Sequence, residues 1–347
     1  MPTLGPDEFP AATKRPWLRQ IIGLAMGLSI AGGLLAYLGI PHRAELARDL
    51  RAFDIRPLLA AAAGALGLIA IQSVRWWLLM RRVVNLTYGQ AYRSLAVGFF
   101  FNVLLPARGG DFIRAQYLGK RAGVPRARVL GTEVLDFWCD KLGWLIAFPC
   151  VCLLGKPPAW LYHVMTIVGA VLVGVGIAMV FFAVRVARTH RERLPRFLRW
   201  LADVGDGLSV TNVRRLAVIV LFVAPLPWLW ETLLIMLAGR GLGLHLGFVE
   251  AFAVLSAFNA ATAVPTPANA GPFEAGGTLA LIGFGVPQGQ ALAFMFMYHL
   301  TQVVPTFALG ALVLLGEAET ILRRRRGDRG GVLLGEAVPP TSDIEVG

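Results

Sequence analysis

Six stretches of this chain, at about 21 to 40, 57 to 80, 129 to 154, 160 to 184, 216 to 238 and 289 to 316, are apolar over lengths that cross a bilayer as a helix. Inside hydrocarbon every backbone N–H and C=O must find a partner within the protein, so long apolar runs of this kind are helical. The predicted fold class is an all-α polytopic membrane protein with about six full transmembrane helices. The 347 residues are 56% hydrophobic with a mean hydropathy of +0.63, against about 45 to 50% apolar residues in a soluble domain. Lys14, Arg15 and Arg19 precede the first run as they would in a signal peptide, but twenty apolar residues without a small-residue cleavage site point to a retained helix.

The net charge of +12 does not point to nucleic acid, because the basic residues sit in short clusters between the apolar runs. Lipid headgroups are the expected anionic partner. Cytoplasmic loops retain Lys and Arg. The clusters are Lys14, Arg15 and Arg19; Arg81, Arg82 and Arg93; Arg108, Arg114, Lys120, Arg121, Arg126 and Arg128; eight arginines between Arg185 and Arg215; and Arg323 to Arg326. This assignment puts both termini on the cytoplasmic side of the cell membrane. Two further apolar segments, 91 to 106 and 250 to 283, are broken by Pro and Gly. A single span at 91 to 106 would carry six basic residues outward, so this segment is expected to be re-entrant from the cytoplasm. By the same count, 250 to 283 dips in from the outer face. Irregular backbone at membrane depth is tolerated only against protein or a water-filled cavity, which marks such segments as candidate pathways.

Aligning the two broken segments exposes a repeat. Phe101-Asn102, Pro106, Gly110-Asp111-Phe112, Ala115 and Gly123-Val124-Pro125 match Phe258-Asn259, Pro265, Gly271-Pro272-Phe273, Ala275 and Gly285-Val286-Pro287. The spacing from GxF to GVP is 13 residues in one copy and 14 in the other. The reading is two inverted-topology repeats, about 57–154 and 216–316, each with a Pro/Gly-broken re-entrant hairpin. They lie within a transmembrane domain of 20–316, between an N-terminal cytoplasmic segment (1–19) and a basic cluster with a disordered cytoplasmic tail (317–347). In transporters so built, substrate binds near the midplane at broken helices, whose N-terminal ends favour anions such as phosphate.

Glu133, Asp136 and Asp140 recur at i, i+3 and i+7 and so share one helix face, with Lys141 beside them. At 1.5 Å per residue, Asp140 lies roughly 16 Å below the cytoplasmic entrance. An ionised group at that depth costs at least ~2.5 to 3.5 kcal/mol, so the stripe needs a cavity or basic partners, with Arg108 and Arg114 the expected ones. The same pattern suits a polar cavity that handles a headgroup or protons and a buried network that only ties hairpin to helix. In the second half Glu274 is the leading polar candidate, with Asn259, His299 and Gln302 after it. Glu231 in the fifth helix is a further candidate, and four residues from Pro227 it equally suits an interhelical hydrogen-bonding group. Arg75, five residues from its helix end, suits either a side chain that snorkels to the interface or a functional charge.

No metal or cofactor is expected. Cys139, Cys150 and Cys152 lack zinc-type spacing, and His42, His163, His190, His245 and His299 are scattered. Amphipathic stretches at 44 to 56 and 190 to 208 read as interfacial scaffolding, and the tail beyond Arg326 has the composition of a disordered segment.

At the two hairpins the sequence resembles the transmembrane domain of lysylphosphatidylglycerol synthases and the stand-alone flippase-like proteins grouped with it, over roughly residues 20 to 316. The first family motif, Asn, Leu-Pro, Gly-Gly-acid and a following Arg, is matched by Asn102, Leu105-Pro106, Gly109-Gly110-Asp111 and Arg114. The second is matched by Pro265, Pro267, Gly271 and Glu274, with Ala268 and Asn269 in place of a glycine pair. Phe137 stands where the family often has Arg. Bifunctional members carry a soluble aminoacyl-transferase domain after this one. Here about 20 residues follow the arginine cluster, so lysyl-phosphatidylglycerol synthesis is not expected of this chain. The resemblance implies transbilayer movement of lipids: polyprenyl-phosphate-linked sugars, aminoacylated phospholipids or hopanoid-type lipids.

The sequence thus points to a flippase or scramblase for an anionic lipid or lipid-linked substrate. Arg108 and Arg114 would hold phosphate, Asp140 and Glu133 would neutralise a cationic or proton-carrying group, and Glu274 would complete the outer gate. Asn102, Gly109, Gly110, Asp111, Asp136, Lys141, Asn259, Pro265, Pro267 and Gly271 complete the candidate site. Two rivals remain: a membrane-embedded headgroup transferase using Asp136 or Asp140, and a non-transporting partner of a lipid-modifying enzyme.

Overall fold

The computed structural model describes residues 54–81, 83–105, 108–187, 205, 212–264 and 266–334. The apolar run 21 to 40, nearly all of both interfacial stretches, Pro106 and Pro265 lie outside the described residues. Among the described residues all regular structure is helical. Helix α1 (Ile55–Met80) starts at Asp54, whose carboxylate accepts the Arg56 N–H at 3.0 Å. α2 (Tyr88–Leu104) starts on a capping box formed by Thr87 and Gln90. Then come α3 (Gly109–Ala122), α4 (Arg126–Leu154) and α5 (Ala159–Ala187). Next, α6 (Val213–Val218) leads through a π turn over Ile219–Val223 into α7 (Pro225–Gly239). In that wide turn the Ala224 N–H donates to the Ile219 carbonyl at 2.8 Å, just ahead of Pro225 and Pro227, which have no N–H to give. The chain closes with α8 (Phe248–Ala261), α9 (Pro272–Gly283) and α10 (Gln288–Leu334).

Five segments are long and apolar enough to cross a membrane among the described residues: Ile55–Met80, Arg126–Leu154, Ala159–Met179, Val213–Leu242 and Gln288–Glu317. They coincide with the last five runs read from the sequence. Neither broken segment forms a single span. Each folds as two helices packed on one another, α2 on α3 and α8 on α9. Beyond its apolar part α10 carries on through Arg323–Arg326 to Leu334, where composition predicts a polar tail.

Helix packing is paired throughout. α1 lies against α7. α2 packs on α10 and α8 on α4; α1 packs on α10 and α7 on α4; α3 packs on α4 and α9 on α10. Exchanging the first set of elements for the second leaves this pattern unchanged. The GVP motifs also fold alike. Gly123 and Gly285 adopt φ of 65° and 83°, and Val124 and Val286 donate to Gly119 and Leu281, each at 3.1 Å and five residues back. Both turns are glycine-capped helix ends of the Schellman type, and the following Pro125 and Pro287 open the next long helix.

Candidate functional site

The acidic stripe of α4 meets guanidinium groups from two directions. From the first hairpin, Arg114 Nε donates to Glu133 Oε1 at 2.8 Å while its guanidinium lies over the Trp76 ring, 4.3 Å from the centroid. From α1, Arg75 Nε reaches Asp136 Oδ1 at 2.7 Å and Nη1 reaches Asp140 Oδ1 at 2.8 Å. Arg75 is 4% exposed, so it does not snorkel. α1 packs directly on α4, and two carboxylates one helical turn apart offer the fork of donors more than a distant interface would. The partners are 61 and 65 residues away in sequence, which local reading does not see. The one available signal was a stripe of three carboxylates facing only two hairpin arginines.

The two remaining cations are more open. Arg108 sits at the hairpin break with φ 55° and pairs with Asp111 Oδ2 at 2.9 Å, its side chain 54% exposed. Lys141 Nζ lies 3.4 Å from Asp140 Oδ2 and over the Trp228 ring at 4.7 Å. Phe137, at the family's frequent Arg position, lies between them, with Arg108 at 5.1 Å and Lys141 at 5.4 Å from its centroid. Its ring organises two cations where an arginine would repel them.

Asn102 ties the first hairpin together: its Oδ1 accepts the Gly110 N–H at 2.8 Å and its Nδ2 donates to Asp111 Oδ1 at 3.2 Å. Gly110 has no room for a side chain, since a Cβ there would lie 2.0 Å from the Gly98 carbonyl oxygen. Gly109 opens α3 beside it.

The second hairpin turns through Pro267–Asn269, with Ala268 and Asn269 at φ 52° and 59° and Gly271 at φ 93°. The two residues that replace the glycine pair therefore occupy the left-handed region where glycine is at ease. Glu274 Oε2 accepts the Gly271 N–H at 2.7 Å, and Oε1 lies 2.6 Å from His299 Nδ1. His299 Nε2 faces the Ala268 carbonyl at 2.8 Å, and the ring stacks on Phe273 at 4.3 Å. Both ring nitrogens thus meet oxygens. Asn259 turns its Nδ2 to the Leu255 carbonyl at 3.0 Å.

Two cavities lie between the hairpins. A charged one of about 160 Å³ takes in Arg108, Asp111, Arg114, Glu133, Asp136, Asp140 and Lys141 together with Arg75. A second of about 240 Å³ is lined by apolar and amide side chains, with Asn102, Ala268, Asn269, His299 and Gln302 among them. They share Gln72, Phe99, Glu231 and Asn259. Glu231 is partly buried and makes no hydrogen bond or ion pair with a described residue, which is not the hydrogen-bonding role its sequence context suggests. Gly109, Gly110, Pro267, Gly271 and Glu274 shape the turns and line neither cavity. Among the described residues no group of three His, Cys, Asp or Glu side chains is placed to hold a metal ion.

A family model described as Lysylphosphatidylglycerol synthase TM region matches residues 20–310. No curated protein and no solved structure matches the chain.

Proposed function

The chain belongs to the lysylphosphatidylglycerol synthase TM region family, a family of membrane proteins linked to lipid modification, and from that premise we propose that it moves an anionic lipid or lipid-linked substrate between leaflets. The observation that carries this reading is the pair of cavities, one charged and one largely apolar, joined through four shared residues. A lipid needs both chemistries at once: a headgroup in the charged part and acyl chains along apolar walls. A network built only to hold hairpin to helix needs no cavity.

The exchange symmetry of helix contacts and the identical GVP turns support an inverted duplication, 57–154 against 216–316, with α2–α3 re-entrant from the cytoplasm and α8–α9 from the other side. The basic clusters support cytoplasmic termini in a cell membrane. Phosphate is held by Arg108 and Lys141, the more open cations. Arg75 and Arg114 are committed to carboxylates and order the walls.

The test is leaflet exchange of fluorescent phosphatidylglycerol, phosphatidylcholine and polyprenyl phosphate in liposomes holding the full chain. Anionic lipid exchange should fall at least about tenfold in both Arg108→Gln and Lys141→Gln, the loss of one charge-assisted contact, while thermal unfolding stays at wild-type values. Equal exchange of all lipids, or none of any, overturns the assignment.

A further inference from the structure

The charged cavity is out of balance. It brings together the cations Arg75, Arg108, Arg114 and Lys141 and the carboxylates Asp111, Glu133, Asp136, Asp140 and Glu231. Four of these carboxylates lie within ion-pair distance of a cation. Glu231 does not, although it stands at the neck between the two cavities. With Glu231 ionised, an anionic headgroup arriving at Arg108 and Lys141 would therefore meet a cavity with one more carboxylate than cations, where low dielectric magnifies repulsion.

We propose that the anionic headgroup is bound together with a proton, and that Glu231 is the group that takes it. The inference rests on the lipid-transport reading above. The charged groups facing Glu231 are Asp140 and Lys141 from α4. Behind them stand Glu133 and Asp136 of α4, Arg75 of α1, and Arg108, Asp111 and Arg114 of the first hairpin. α8 and α2 present the uncharged Asn259 and Phe99, and α10 presents Tyr298 and His299. Asp140 works against a charged Glu231, and Lys141 is already shared with Asp140. His299 is the other titratable group on the pathway, but Glu274 and the Ala268 carbonyl occupy its two nitrogens. Protonation of Glu231 turns its carboxylate into a neutral acid with a proton drawn from water. Release of the lipid on the far side returns that proton, so one lipid anion and one proton move together.

The experiment counts protons. The full chain in a weakly buffered non-ionic detergent is titrated with dihexanoyl-phosphatidylglycerol, whose phosphodiester does not itself titrate near neutrality, while a pH dye records uptake. Dihexanoyl-phosphatidylcholine, which brings its own cation, is the comparison. At a pH where Glu231 of the free protein is ionised, wild type should take up roughly one proton per phosphatidylglycerol bound, and its affinity should fall by up to about tenfold per unit rise in pH. Glu231→Gln should bind without uptake and with pH-independent affinity. Glu231→Asp should retain uptake, and it serves as the folded variant if Gln does not assemble. Binding of phosphatidylglycerol without proton uptake overturns the proposal and leaves the lipid reading standing. Equal uptake with phosphatidylcholine overturns it as well, because charge compensation is then not the cause. Absence of any lipid binding removes both.

Discussion

At the tip of the first hairpin the contacts are ionic: Asn102 bridges to Asp111, Arg108 closes on the same carboxylate, and Arg114 inserts between Glu133 and Trp76. At the tip of the second, Phe273 stacks on His299 of a single Glu274–His299 pair and packs against Phe258 and Tyr298. The two hairpins share the GVP turn geometry and have corresponding, exchanged helix partners, yet one is held by charges and the other by rings. The same backbone frame thus separates two tasks. The charged hairpin supplies a polar wall to the cavity, and the aromatic one supplies an apolar wall with one polar hinge.

The largest expected effect separates the two tips. Arg114→Gln leaves Glu133 as an uncompensated buried charge and should cost about 3 to 5 kcal/mol. His299→Gln keeps a neutral donor for Glu274 and should cost only about 1 to 2 kcal/mol. Thermal or denaturant unfolding in detergent micelles measures both, and equal losses would break the distinction between ionic and aromatic tips. The paired change Arg114→Met with Glu133→Leu sharpens it, because removing both charges together should restore stability to within about 1 kcal/mol of wild type.

A smaller effect tests what the hairpins share. Each has a glycine pressed against its first helix: a Cβ on Gly110 would meet the Gly98 oxygen at 2.0 Å, and one on Gly276 the Ala257 oxygen at 2.7 Å. Alanine at either position should destabilise by about 1 to 3 kcal/mol. Gly110→Ala should be the worse, because the gap to the opposing backbone oxygen is shorter. A harmless Gly110→Ala would mean that α2 and α3 are not in close contact.

The sequence made the shared frame legible and the differing tips much less so. Length and apolarity alone placed the described spans; GVP served only to mark the repeat, although glycine at positive φ followed by proline is a strictly local requirement that also predicts its turn. The i, i+3, i+7 spacing put Glu133, Asp136 and Asp140 on one face correctly. Partnership is a different kind of information. Arg75 reaches its carboxylates through the packing of α1 on α4, and nothing within ten residues of it says so. His299 is hidden in the same way, since both its partners belong to the second hairpin. Glu231 stands out only once the cavities show that every other acid near it already has a cation.

The smallest expected effect uses one backbone feature common to both tips. Ala268 and Arg108 each adopt a left-handed conformation, at φ 52° and 55°. Ala268→Gly removes a steric cost of about 1 to 2 kcal/mol, part of which returns as lost chain entropy. It should therefore raise stability by about 0.5 to 1 kcal/mol. Asn269→Gly should gain less, since asparagine tolerates this region. Arg108→Gly relieves the same strain but gives up the exposed pair with Asp111, so its stability should change by less than about 0.5 kcal/mol. The two substitutions then part company in lipid exchange: Ala268→Gly should leave it at wild-type rates, whereas Arg108→Gly should suppress exchange of anionic lipids. Equal suppression by both would place the demand on the turn geometry and not on the guanidinium, and would remove Arg108 from the headgroup site.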